Sequence, residues 1–321
     1  MNFGLLLPIV QAAAVPTTLG LIVLAPLWWS HGQSTRALDW SKPGESHPGR
    51  FKALTGVAFA LGSLAALAWN FYKPQTGWQI VAAENWLPVF ALVGVFVSLI
   101  GGFFPVLAFW RGAVISTLAR LVVIGAVVWC SMTGSRSFAM PEPEQWGMVG
   151  LMVASGLVWW WALESIARRT RWIEGPLALI FAFTSVSLTL LLTGNAVLGQ
   201  SAGPLAAVAG AGLLVALARP GFSLAGVGGV GAMLVTGLVD QGTRYGVTTP
   251  GQAAVLLLVP TGLLLTSVLA GRDPTVRAGM PGLRGVLLRS ALIFGICALT
   301  VLAVVLLNPP AEANPYQGWG S

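Results

Sequence analysis

The sequence predicts an all-helical, polytopic integral membrane protein of about ten transmembrane helices. Three observations predict it. Apolar runs of about 20 residues, the length a helix needs to cross a bilayer, recur along the whole chain. Only 8% of the 321 residues are charged and 56% are hydrophobic, where soluble domains carry about 25% charge. Finally, the runs are far longer than the alternating segments of about ten residues in a membrane barrel. Lipid offers backbone groups no hydrogen-bond partner, so only helices or closed barrels can span it. A soluble globular protein is excluded.

The expected spans are 5–29, 52–72, 87–110, 113–132, 146–166, 176–195, 203–218, 222–239, 252–270 and 286–307. The first has no basic residue before its apolar stretch and outruns a signal peptide, so it reads as a retained helix; it carries Gln11, Thr17 and Thr18 between Pro8, Pro16 and Pro26. The third is interrupted by Gly101, Gly102 and Pro105, and the ninth by Pro260. The seventh is short, and Gly221 after Arg219-Pro220 suggests either a tight hairpin of two helices or a re-entrant pair with the eighth; the hairpin is the simpler expectation. In the eighth, Gly226, Gly228, Gly229 and Gly231 crowd together, as suits close helix approach. Cys130 and Cys297 fall within spans and read as small apolar residues.

Fourteen Lys and Arg fall in the odd connections, from Arg36 through Arg120 to Arg289, against Lys73, Arg136 and Arg244 in the even ones. The positive-inside rule then places the odd loops in the cytoplasm and both termini outside, in a bacterial cytoplasmic membrane. A net charge of +7 in such loops reads as a topology signal and a match to anionic headgroups, not as a nucleic-acid footprint. Thirteen of the fourteen tryptophans precede Ile173, clustering at predicted span ends. The chain therefore reads as one transmembrane domain with a Trp-rich first half, about 1–172, and a Gly/Ala-rich second half, about 173–321, without a soluble domain. Five spans per half would invert the halves, yet they share no sequence similarity.

No motif assigns a catalytic residue, metal or cofactor. His31, Asp39, Glu45 and His47 gather in the first loop, but their spacing matches no zinc signature and Pro43, Gly44, Pro48 and Gly49 mark a solvated loop. Gly199-Gln200-Ser201-Ala202-Gly203 matches the G-x-S-x-G nucleophile pattern. Both histidines lie in the first loop, on the other side of the membrane, so Ser201 has no His to take its proton, a Ser-Lys variant would need Lys73 with nothing to bring the two together, and the segment reads as a turn. The acids Glu84, Glu142, Glu144 and Asp240 are scattered along the outer side.

Two constellations stand out. Arg120 lies about 15 Å beyond Trp110 along the fourth helix, a depth that costs about 2.5 to 3.5 kcal/mol unless it snorkels or is paired. Glu164, near the cytoplasmic end of the fifth helix, is the expected partner; Arg168, at i,i+4, competes for it. The sixth helix carries Thr184, Ser185, Ser187, Thr189, Thr193 and Asn195, with Ser185, Thr189 and Thr193 on one face. With Gln11, this stripe is the candidate lining of a polar pathway; interhelical packing is the alternative. With no mid-membrane carboxylate expected beyond Glu164, transport would depend little on pH.

Ten spans with hardly any soluble mass point first to a secondary transporter or facilitator of a small neutral or weakly polar solute. The alternative is a non-catalytic membrane subunit or scaffold with a membrane-protein partner. A third reading is an enzyme acting on a lipid-linked substrate. Membrane lipids are expected partners under all three.

Overall fold

The computed structural model describes residues 14–26, 49–71, 86–103, 110–133, 142–169, 173–194, 196–218, 224, 226–244, 249–272 and 283–307. Among them the chain is helical apart from short turns, with no strand. The helices are α1 (Ala14–Pro26), α2 (Gly49–Phe71), α3 (Trp86–Phe103), α4 (Trp110–Thr133), α5 (Glu142–Arg169), α6 (Glu174–Leu192), α7 (Ala196–Ala218), α8 (Val227–Arg244), α9 (Pro250–Leu256), α10 (Leu258–Arg272) and α11 (Leu283–Leu306). A helix stands at each of the ten expected positions, the ninth being α9 and α10 in tandem.

Segments in α5, α6, α7, α9 with α10, and α11 are long and apolar enough to cross a membrane; α1 to α4 contain shorter apolar stretches. The outward surface suits lipid. Trp69, Phe96, Val122, Trp129, Leu288, Leu299 and Leu306 are each more than half exposed, and large apolar side chains exposed in this number suit lipid better than water. This is the arrangement of an integral membrane protein.

One helix has no outward side. Every residue of α8 is buried, and it packs against α2 through α7 and against α9. Lipid tails are as apolar as leucine, so helices in a membrane are held by close contact. The glycines of α8 provide it. A methyl group at Gly228 would come within 2.8 Å of the Glu164 backbone N, one at Gly229 within 2.7 Å of Trp160 Cζ2, and one at Gly237 within 2.8 Å of Phe90 Cε2. Gly228 meets Glu164 while Thr236 meets Gly156, so α5 and α8 run antiparallel. The glycine-rich helix of the second half thus sits among α2 to α5 of the first.

Three boundaries differ from the sequence reading. Helix α8 was expected over 222–239 and instead follows a left-handed Gly226, at φ 100°, and continues to Arg244. A span ending before Asp240 respects the cost of a carboxylate in lipid, but a helix enclosed by protein is free of that limit. Helix α7 begins at Ala196 and takes in Pro204, which reads as a helix start in soluble proteins but is tolerated inside membrane helices. The expected turn at 199–203 is therefore helical, with Ser201 Oγ donating to Val197 O at 2.7 Å. Arg289, counted among loop residues, lies in the second turn of α11 and is buried.

The tandem of α9 and α10 has a local cause. Thr249 Oγ1 accepts from Gln252 N at 3.3 Å and Thr249 N donates to Gln252 Oε1 at 2.8 Å, with Pro250 opening the helix. At Leu257 the N–H turns back to Ala254 O at 3.0 Å, and Pro260 has no N–H for the Leu256 carbonyl.

The enclosure of α8 makes a direct expectation. Gly228→Ala must push the rigid backbone of Glu164 and should destabilise the protein by roughly 1 to 3 kcal/mol. Gly210→Ala in α7 meets nothing within 4 Å and should be neutral or stabilising. Thermal melts in one detergent compare the two; equal melting temperatures would show that α8 does not depend on close approach.

Candidate functional site

Three ion pairs lie within the bundle among the described residues. The first is the one expected from sequence: Arg120 Nη2 is 2.6 Å from Glu164 Oε2, with the side chains 16% and 23% exposed. Its setting depends on α8. Gly228 seats the Glu164 backbone, and Gly229 makes room for the Trp160 ring, over which the Arg120 guanidinium lies 5.6 Å from the centroid. The pair joins α4 to α5.

The second was not foreseen. Arg289 Nε and Nη2 of α11 both donate to Glu174 Oε1, at 2.9 and 2.6 Å, and both residues are buried. Glu174 is the first residue of α6, where a negative charge suits the helix dipole. This pair joins α6 to α11 across 115 residues of sequence, a separation that no local pattern reveals.

The third lies in the last turn of α8. Arg244 Nε donates to Asp240 Oδ2 at 2.9 Å, with Asp240 0% and Arg244 7% exposed. Asp240 Oδ1 and Arg244 Nη2 are buried and find no hydrogen-bond partner among the described residues. One turn earlier, Thr236 Oγ1 is likewise buried and unpartnered. Thr236, Asp240 and Arg244 are four apart and share one face of α8. Gly156 of α5 and Ile124 of α4 border Thr236. Ser131 of α4 stands beside Asp240, and its hydroxyl donates to Val127 O at 3.0 Å. The i,i+4,i+8 spacing is present in the sequence, but a span over 222–239 divides it between helix and loop. Asp240 is therefore not one of several scattered outer acids. Like Glu174 at the start of α6, it is a carboxylate buried in protein near a helix end.

The hydroxyls of α6 are mostly engaged with main chain. Ser185 donates to Phe181 O at 2.6 Å, Ser187 to Gly199 O of α7 at 2.7 Å, and Thr193 to Leu190 O at 3.1 Å. Thr184 lies on the exposed side, away from Ser185. Thr189 is fully buried, with Oγ1 unpartnered among the described residues. Gln11 and Asn195 lie outside the described residues, as does the loop with His31, Asp39, Glu45 and His47. Among the described residues no three His, Cys, Asp or Glu side chains gather as a metal site, and Cys130 and Cys297 are not joined in a disulfide.

Comparison with protein-family models, with curated proteins and with solved structures finds no match.

For the Arg120–Glu164 pair, removing one partner strands the other charge, whereas removing both does not. Arg120→Gln and Glu164→Gln should each lower stability more than the double variant does, with a coupling of about 1 to 3 kcal/mol. A double-mutant cycle from detergent melts measures this; additive effects would show that the two residues act independently.

Proposed function

We propose that the protein is a secondary transporter or facilitator of a small neutral or weakly polar solute, whose route follows the polar face of α8. One observation carries this reading: a buried ion pair that joins no two helices. Charged groups inside a membrane protein are expensive and mark functional positions by default. The Arg120–Glu164 and Glu174–Arg289 pairs have a structural purpose, since each ties two helices together. Asp240 and Arg244 sit on the same helix, at i,i+4. Their pairing adds no tertiary link, and each retains a buried polar atom without a hydrogen-bond partner among the described residues. Burying such capacity is costly unless a water or a solute takes it up.

The surroundings agree. Helix α9, which packs against α8, ends at the Leu257 break before Pro260, and interrupted helices border solute sites in transporters. A scaffold or subunit leaves the α8 pair without a role. In this reading the protein lies in the cytoplasmic membrane with both termini outside, its basic loops against anionic headgroups.

The test needs no labelled substrate. Proteoliposomes shrunken by an osmotic step re-swell as an uncharged solute enters, and light scattering follows the rate. Across a series of small polyols and amides, vesicles carrying the protein should re-swell several-fold faster than empty vesicles for at least one solute. Rates equal to those of empty vesicles for every solute, with protein that melts cooperatively, would overturn the transport reading.

A further inference from the structure

The face of α8 also defines what kind of solute it suits, an inference that rests on the transport reading. We propose that Asp240 and Arg244 form a recognition site for a small neutral solute carrying a hydrogen-bond donor and an acceptor on one carbon, the chemistry of a primary amide or urea.

The argument starts from charge. Asp240 and Arg244 neutralise one another at 2.9 Å, so the site as a whole offers no net charge to a solute. An ion entering it would be desolvated without a counter-charge. The remaining capacity is directional. Asp240 Oδ1 is an acceptor only, and Arg244 Nη2 is a donor only. Because Nε and Oδ2 are already joined, the unused oxygen and the unused nitrogen belong to the two planar groups on either side of one hydrogen bond. A planar amide complements them: its carbonyl oxygen accepts from Nη2 and its N–H donates to Oδ1. Hydrogen bonds to charged partners are the stronger kind, so both contacts would replace hydration effectively.

Thr236, one turn below on the same face, adds a buried hydroxyl that is both donor and acceptor. Ser131 flanks the carboxylate from α4. A polyol of equal size spreads its hydroxyls around the carbon chain and has no single polar edge to match the pair.

Vesicle re-swelling decides the question, with acetamide and urea compared against ethylene glycol and glycerol. For the wild-type protein, the acceleration over empty vesicles should be several-fold greater for the amides than for the polyols. In Asp240→Leu/Arg244→Met, which removes both charges and strands neither, the amide rate should fall to that of empty vesicles while the melting transition persists. If that variant does not fold, Arg244→Lys decides: it keeps the positive charge but lacks the second guanidinium nitrogen, and amide entry should drop several-fold. Amide entry unchanged in the folded variant used would overturn the proposal. Polyols accelerated as much as amides would overturn it while leaving the transport reading standing; no solute accelerated at all would remove both.

Discussion

Everything distinctive in this bundle depends on α8 being buried along its whole length. A helix surrounded on all sides must let its neighbours come close, and Gly228, Gly229 and Gly237 replace side chains with the Glu164 backbone, the Trp160 ring and the Phe90 ring. Once enclosed, the helix is released from the rule that membrane segments be apolar. Asp240, Gln241 and Arg244 follow from that release; all are buried, and none would be stable at that depth on a helix facing hydrocarbon. Small residues and buried charge are thus two consequences of one position in the fold.

The three ion pairs differ in what they achieve. Arg120–Glu164 and Glu174–Arg289 fasten α4 to α5 and α6 to α11, so each offsets part of its desolvation by fixing a helix pair. The pair on α8 joins no second helix, and among the described residues it leaves a carboxylate oxygen and a guanidinium nitrogen without partners on the same face as an unpartnered hydroxyl. That contrast within one molecule, between Glu174–Arg289 and a pair of similar burial on α8, is what separates a structural ion pair from a candidate site. It also moves attention from α6, where Ser185, Ser187 and Thr193 give their protons to carbonyls.

The sequence announces the fold class and the positions of the ten helices because lipid imposes a length and an apolarity on each of them. It also points to the Arg120–Glu164 juxtaposition, since a charge at depth calls for a partner at the same level on the next helix. What it hides is enclosure. Hydropathy treats each span as if it faced lipid, so it ends α8 at Val239 and leaves the polar end outside the span. Glu174 and Arg289 were missed for a different reason: each sits at a helix end, where a loop residue and a buried one look alike until the tertiary contact is known. The glycine cluster was the one local sign that α8 is central, and it reports close packing without saying against what.

Whether α8 is a dry packing core or the wall of a passage is settled by the chemistry of a thiol at Thr236. In a background with Cys130→Ser and Cys297→Ser, Thr236→Cys is nearly isosteric, and Leu299→Cys on the exposed face of α11 serves as the lipid-facing control. Reaction with a small water-soluble thiol reagent in native membranes should modify the cysteine at 236 and spare the one at 299. No modification at 236 under conditions that label a cysteine placed in a loop would contradict the account, and α8 would then be a structural spine alone.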